Sequence, residues 1–265
     1  MVFLLAGFAG CGVVSAQQPD SGTVHSVAVS STAAGFLAAG DSALVRLDLA
    51  AASAAYTRAH QVAPQSYEAA WKLARALADQ ATLSTKRDEQ ERLCQEAESM
   101  ARAAIMIEPR GAKGHAFLAV ALGKLALFVG GKRKVRLSHE VKAEADTALA
   151  LDPDEDLAHH VLGVWNREIV KLPGVLKFFA KALYGKLPDA SMDAALDHLT
   201  KARSLRPDVI PHRVELGITL ASAGSYREAK QELEGALRMP TSWVTDDYYR
   251  DKARKALADV ERRAR

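Results

Sequence analysis

The residues of this chain whose types suit chemistry are its histidines, lysines that follow glycine, cysteine and tryptophan, and their spacing is the first test of what they do. The eight histidines are His25, His60, His115, His139, His159, His160, His198 and His212, and none stands in the H-E-x-x-H spacing that brings two imidazoles to one zinc ion. His159 and His160 are adjacent, so on a helix they point about 100° apart rather than at one metal. Gly123-Lys124, Gly131-Lys132 and Gly185-Lys186 share the ending of a phosphate loop. Each lacks the glycine five residues earlier and the Ser or Thr after the lysine, so they read as helix ends and turns. No G-x-S-x-G elbow is present, and Cys94 has no evident His/Asn partnership and reads as a small core residue. The expectation is a chain that is not an enzyme and takes no metal and no cofactor.

Trp71 and Trp165 carry faces that bind cations and bases, but a large aromatic in a helical pattern is more often packed between helices. Lys132, Arg133, Lys134 and Arg136 form a dense basic run that reads first as a solvated loop and second as a place for an acidic peptide or a lipid headgroup. Over the 265 residues, 35 Lys and Arg face 32 Asp and Glu, a net charge of +3 that is too small to imply a nucleic-acid partner. Hydrophobic content of 49% with 25% charged residues excludes a disordered chain and a multi-span membrane protein.

The elements that must position these residues are counted out by proline. Four of the nine prolines, Pro64, Pro109, Pro153 and Pro207, close the similar phrases TRAHQVAP, ARAAIMIEP, DTALALDP and TKARSLRP, as a proline that stops a helix would. Their separations are 45, 44 and 54 residues, and 33 more lead to Pro240, close to a helix-turn-helix unit of about 34 residues with insertions in the longer copies. Five residues before each stop stand Ala59, Ala104, Ala148 and Ala202; twelve before stand Ala52, Ala97, Val141 and Ala195. Gly40, Gly123, Gly163 and Gly217 take the close-packing position of the first helices, while Arg75 stands there in the second unit with Asp79 one turn on. Small side chains at these offsets let antiparallel helices approach closely. The pattern resembles a tetratricopeptide repeat and predicts an all-α right-handed solenoid of antiparallel helix pairs over 33–265, in five units that end at about Pro240. A capping helix from about Val244 to Arg263 completes it.

Before the array, MVFLLAGFAGCGVVSA is apolar, uncharged and too short to span a bilayer. Val14, Ser15 and Ala16 place small residues at a signal-peptidase cut, so 1–16 is read as a signal peptide and 17–32 as a flexible linker. Phe8-Ala9-Gly10-Cys11 also resembles a lipobox, which would make the chain a lipoprotein anchored through Cys11. Both readings place the protein outside the cytoplasm, in a periplasm or secreted.

Three units carry extra residues between their helices: ATLSTKRDEQ, VGGKRKVRLS and KLPGVLKFFAKALYGKLPDAS. With YEAAWKLARAL from Tyr67, VRLSHEVKAEADTALALDP from Val135, HVLGVWNREI from His160, FAKALYGKLPDASMDAAL from Phe179 and HRVELGITLASAG from His212, the chain resembles the regulator of microtubule dynamics family over about Gly40 to Ala258. The resemblance implies a helical, non-enzymatic interaction protein whose eukaryotic relatives associate with microtubules or organelle membranes. An exported chain meets no microtubule, so the fold is expected to carry over and the cytoskeletal activity is not.

The repeat pattern of that resemblance places Lys72, Asp79, Gln80, Lys124, His160, Arg167 and Glu168 on the wall of a concave groove, where long polar side chains would hold a protein or peptide segment. The alternative function uses the insertion between Pro173 and Pro188 as an apolar-ligand or membrane-surface module. There Phe178 and Phe179 alternate with Lys177 and Lys181, which share a helix face and suit an anionic lipid surface. Equally, the two phenylalanines would plug the gap that the insertion opens.

Overall fold

The computed structural model describes residues 21–184 and 189–264. The leader at 1–16 and Cys11 lie outside these residues. Twelve helices follow in order: α1 Ser21–Val45, α2 Leu49–Val62, α3 Tyr67–Leu83, α4 Arg87–Ile107, α5 Ala112–Leu125, α6 Gly131–Leu151, α7 Asp156–Val170, α8 Gly174–Tyr184, α9 Met192–Leu205, α10 Ile210–Ser222, α11 Tyr226–Arg238 and α12 Asp246–Arg263. The pairs are α1 with α2, α3 with α4, α5 with α6, α7 with α9, and α10 with α11, and each second helix packs on the first helix of the next pair. This is the right-handed solenoid of antiparallel pairs that the proline spacing predicts.

Local chemistry sets the ends of the helices. Asp48, Ser66 and Ser191 cap α2, α3 and α9 by accepting the N–H of Ala51, Ala69 and Ala194, and Gly224, at φ +86°, makes the tight turn between α10 and α11. The offsets counted from the prolines form the seam of each pair: Ala52, Ala59, Ala97, Ala104, Val141, Ala148, Ala195 and Ala202 are all buried. The glycines opposite them are required by contact, because a methyl group at Gly40, Gly163 or Gly217 would overlap Tyr56, Leu199 or Leu233.

The insertions depart from the expected loops. In the second unit the added residues lengthen α3 and α4 and leave only residues 84–86 between them, and in the third they lengthen α6 from Gly131. The fourth builds the separate helix α8, which packs on α6. α1 begins at Ser21, so helix replaces the expected linker from that point.

Candidate functional site

α3, α5, α7 and α10 are first helices of successive pairs and pack on one another in turn, as the first helices that line the inner face of a repeat array do, and the residues expected on the groove wall lie on α3, α5 and α7. Lys72, Asp79 and Gln80 on α3, Lys124 on α5 and His160 on α7 are half-buried, Arg167 is buried, and Glu168 is exposed. The concave face is therefore a crowded surface of charges, most of them already paired with other helices.

At the first end, the Lys72 Nζ lies 2.7 Å from the carboxylates of Asp41 on α1 and Glu68 on α3. Asp41 also accepts the Tyr56 hydroxyl at 2.7 Å. Burial draws the Lys72 ammonium down, but the bonds to Asp41 and Glu68 outweigh it and hold the group above the ordinary lysine value. Lys124 donates to Thr82 Oγ1 at 2.6 Å, and burial lowers its ammonium, with partial relief from Asp79.

At the other end, Arg167 joins Glu215 at 2.8 Å, Thr219 Oγ1 at 3.0 Å and Glu168 at 3.0 Å, and Lys252 of α12 completes the pairing of Glu215. Burial would raise the Glu215 carboxyl, yet Lys252 and Arg167 hold it at about 2. Beside it, His212 bonds Asp156 through Nε2 at 2.8 Å and meets His160, Nδ1 to Nδ1, at 2.9 Å. When neutral His212 donates its Nε2–H to Asp156, its Nδ1 accepts the Nδ1–H of neutral His160. Burial is the main cause that pushes His160 down to about 3. Its neighbour His159 turns to His198 instead, at 3.0 Å, as adjacent helical positions must. Among the described residues no group of three or more His, Cys, Asp or Glu is arranged to hold a metal ion.

Against α3 on this face lies a segment that sequence reasoning missed. Between α11 and α12 the chain over residues 239–245 is not helical, and its Trp243 reaches back to α3. The indole N–H donates to Asp79 Oδ2 at 3.0 Å, and the Arg75 guanidinium lies over the ring at 3.7 Å from its centroid. Trp243 and Val244 pack against the core of the first two pairs, where Leu73, Leu77 and Ala81 are buried. Asp246, fully buried, holds the turn by accepting the N–H of Ser242 and Trp243, both at 2.8 Å, and Arg250 braces it through Thr241 Oγ1 and Met239 O. Arg75 and Asp79 thus meet through the indole. The one available signal in the sequence was an aromatic that stands outside the repeat offsets, just after Pro240.

The remaining expected positions divide cleanly. Trp165 is buried with its N–H on Ser138 O at 2.8 Å, Trp71 stacks on Phe117 at 5.7 Å, and Cys94 is a buried core residue. On α8 the ring of Phe178 is 67% exposed, so it does not plug the insertion; Phe179 and Lys177 are half-buried and Lys181 is exposed. The basic run lies in the first two turns of α6, where Arg136 points to solvent.

The described helices include none long and apolar enough to cross a membrane. A thermophilic TPR protein of Thermus thermophilus superposes with a TM-score of 0.61 at 21% identity, covering 85% of this chain and 99% of that one. Pseudomonas aeruginosa pilF superposes with a TM-score of 0.51 at 14% identity, covering 89% of this chain and 93% of that one. Both likenesses are of fold. Regulator of microtubule dynamics protein 2 of Macaca fascicularis is 27% identical over 193 residues, 72% of this chain and 47% of that protein. Regulator of microtubule dynamics protein 3 of Bos taurus is 28% identical over 192 residues, 72% of this chain and 40% of that protein. The chain spans about half the length of the curated relatives it matches. The profile described as "RMD1-3: Regulator of microtubule dynamics protein 1-3" matches residues 40–261, from the first close-packed glycine to the last turn of α12, and the chain belongs to that family.

Proposed function

We propose that this protein is a non-enzymatic scaffold whose concave face holds an extended segment of a protein partner. The observation that carries the reading is that this face already seats a stretch of non-helical chain, with Trp243 anchored on Arg75 and Asp79. Around that stretch, Gln80 and Glu168 keep polar groups toward solvent, and Lys72, Lys124, His160 and Arg167, paired with neighbouring helices, set a polar wall that water reaches only in part, where charge-assisted bonds are strong. A photo-crosslinking side chain at Gln80, compared with one at Met106, which is 84% exposed on α4, tests it in the native host. A partner crosslinked from Gln80 and not from Met106 is the expected result; equal capture from both removes the groove. The apolar leader motivates a location outside the cytoplasm, and mass spectrometry of the native N-terminus decides it: Gln17 supports cleavage, a lipidated Cys11 supports anchoring, and an intact Met1 refutes both.

A second reading concerns α8, which turns Val175 (62% exposed) and Phe178 (67% exposed) to solvent beside Lys177 and Lys181. No acidic residue occurs from 169 to 188, nor from 131 to 139 at the start of α6, the helix on which α8 packs, so an amphipathic helix rimmed by cations suits an anionic lipid surface. Sedimentation with vesicles containing phosphatidylglycerol, lost in Phe178→Ser, is the expected outcome; wild-type chain that stays in the supernatant ends this reading.

A further inference from the structure

Three features of the concave face are not called for by the repeat packing of the helix pairs. Arg75 stands where the first helices of the other units carry glycine, so the packing of pairs does not call for a guanidinium there. Arg75 and Asp79 between them satisfy both polar properties of one indole, its face and its N–H, while Trp243 and Val244 also pack on the apolar side chains of the first two pairs. The residue they hold comes from 164 positions away, on a segment whose Thr241 and Ser242 are exposed and which makes no helix. α12 has its own attachment, through Ala253 and Val260 buried against α10 and α11. The strap, residues 239–245, keeps its bonds to Asp246 and Arg250 on the side of α12, so the Trp243 side chain can leave Arg75 and Asp79 without releasing the helix that follows it.

We propose that Arg75 and Asp79 form a subsite for the side chain of a tryptophan, that Trp243 fills it in cis, and that the partner segment enters the concave face by presenting its own tryptophan there. This rests on the groove reading above and adds to it the chemistry of the ligand: an extended segment with an indole followed by an aliphatic residue, as Trp243 is followed by Val244. A ligand lacking an aromatic N–H leaves the Asp79 carboxylate without its donor in a crowded site, and that loss gives the selectivity. The cis occupant also regulates, because the affinity for any segment in trans is scaled by the fraction of molecules whose strap is off the subsite.

The chain's own strap supplies the probe. A fluorescein-labelled peptide of residues 239–250, MPTSWVTDDYYR, is titrated by anisotropy against full-length wild-type chain and full-length Trp243→Ala, with helicity and melting checked by circular dichroism. The expected result is binding to Trp243→Ala at least about 10-fold tighter than to wild type. The gain should vanish when the peptide's tryptophan is replaced by alanine, or when Arg75→Met or Asp79→Leu is added to the chain. Trp243→Phe, which keeps a ring on Arg75 and loses the N–H, should bind the peptide to an intermediate degree, and it stands in if Trp243→Ala does not fold. Equal binding to wild type and to a folded Trp243→Ala, or no binding to either, overturns the subsite. If Lys72→Glu with Lys124→Glu abolishes peptide binding while Arg75→Met and Asp79→Leu leave it intact, the groove holds the segment without an indole subsite, and only the present inference falls. If neither set matters, the groove reading falls with it.

Discussion

The concave face and helix α8 invert the usual distribution of side chains. On the concave face Arg167, Glu215, His212 and Asp246 are buried, whereas on α8 Val175 and Phe178 stand in water. The inner wall tolerates its charges because they are paired: Glu215 of α10 takes Arg167 from α7 and Lys252 from α12, His212 takes Asp156, and Asp246 accepts the N–H of Ser242 and Trp243 in its own turn. α8 tolerates its exposed ring because it is an addition to the fourth pair whose main neighbour among the described helices is α6, and a helix packed mainly on one neighbour buries only one of its faces. The difference teaches that in this solenoid the burial of a side chain follows the number of helices around it more than the chemistry of the side chain itself.

The largest effect that tests this contrast is expected from Arg167→Met. It leaves Glu215 buried with half its pairing, and a loss of about 3–5 kcal/mol in denaturant unfolding is expected. A change below about 1 kcal/mol would mean that the inner charges are solvated and the comparison fails.

Acid should act on the concave face in the same direction. Glu215 is held at about 2 against an ordinary 4.5, so its contribution is present above pH 4.5 and is lost as pH falls toward 2. His160 is pushed to about 3 from 6.5, so between those values the unfolded chain takes up a proton that the folded chain does not. Stability therefore falls as pH drops from 6.5 toward 3. Melting followed from pH 7 to pH 4 should show this decline, and His160→Asn should flatten the part above pH 4.5, where Glu215 does not yet contribute. A wild-type melting temperature that is constant between pH 6.5 and 4.5 would contradict the buried, neutral state of His160.

Trp243→Ala is expected to be milder, at about 1–2 kcal/mol, since the indole is only half-buried and α12 stays attached. A loss as large as that of Arg167→Met would make the strap part of the core rather than a replaceable occupant. The smallest effect is that of Phe178→Ser, within about 0.5 kcal/mol, because the ring is already exposed. Phe117→Ser, at a ring 8% exposed in the core of the middle pairs, sharpens the contrast with an expected loss of about 3–5 kcal/mol.

The sequence by itself determined the helix pairs and their seams. Proline at Pro64, Pro109, Pro153 and Pro207, small residues five and twelve positions earlier, and Gly40, Gly163 and Gly217 act through contacts inside one pair, and such contacts are written within about 34 residues of chain. Which residues share one face of a helix was legible for the same reason, since that face follows from the helical period. What those residues do there was not. Lys72 is tied to Asp41, Lys124 to Thr82 and Arg167 to Glu215, and these partners lie on other helices at distances fixed by the rotation from one pair to the next. In a repeat array such rotation accumulates from pair to pair, and here Trp243 of the last segment meets Asp79 of the second pair across 164 residues. No local pattern encodes such an accumulated angle, and the same holds for α8, whose outward face was decided by α6 covering only its other side. Local periodicity fixed which side chains face inward; the curvature of the whole stack decided which of them meet.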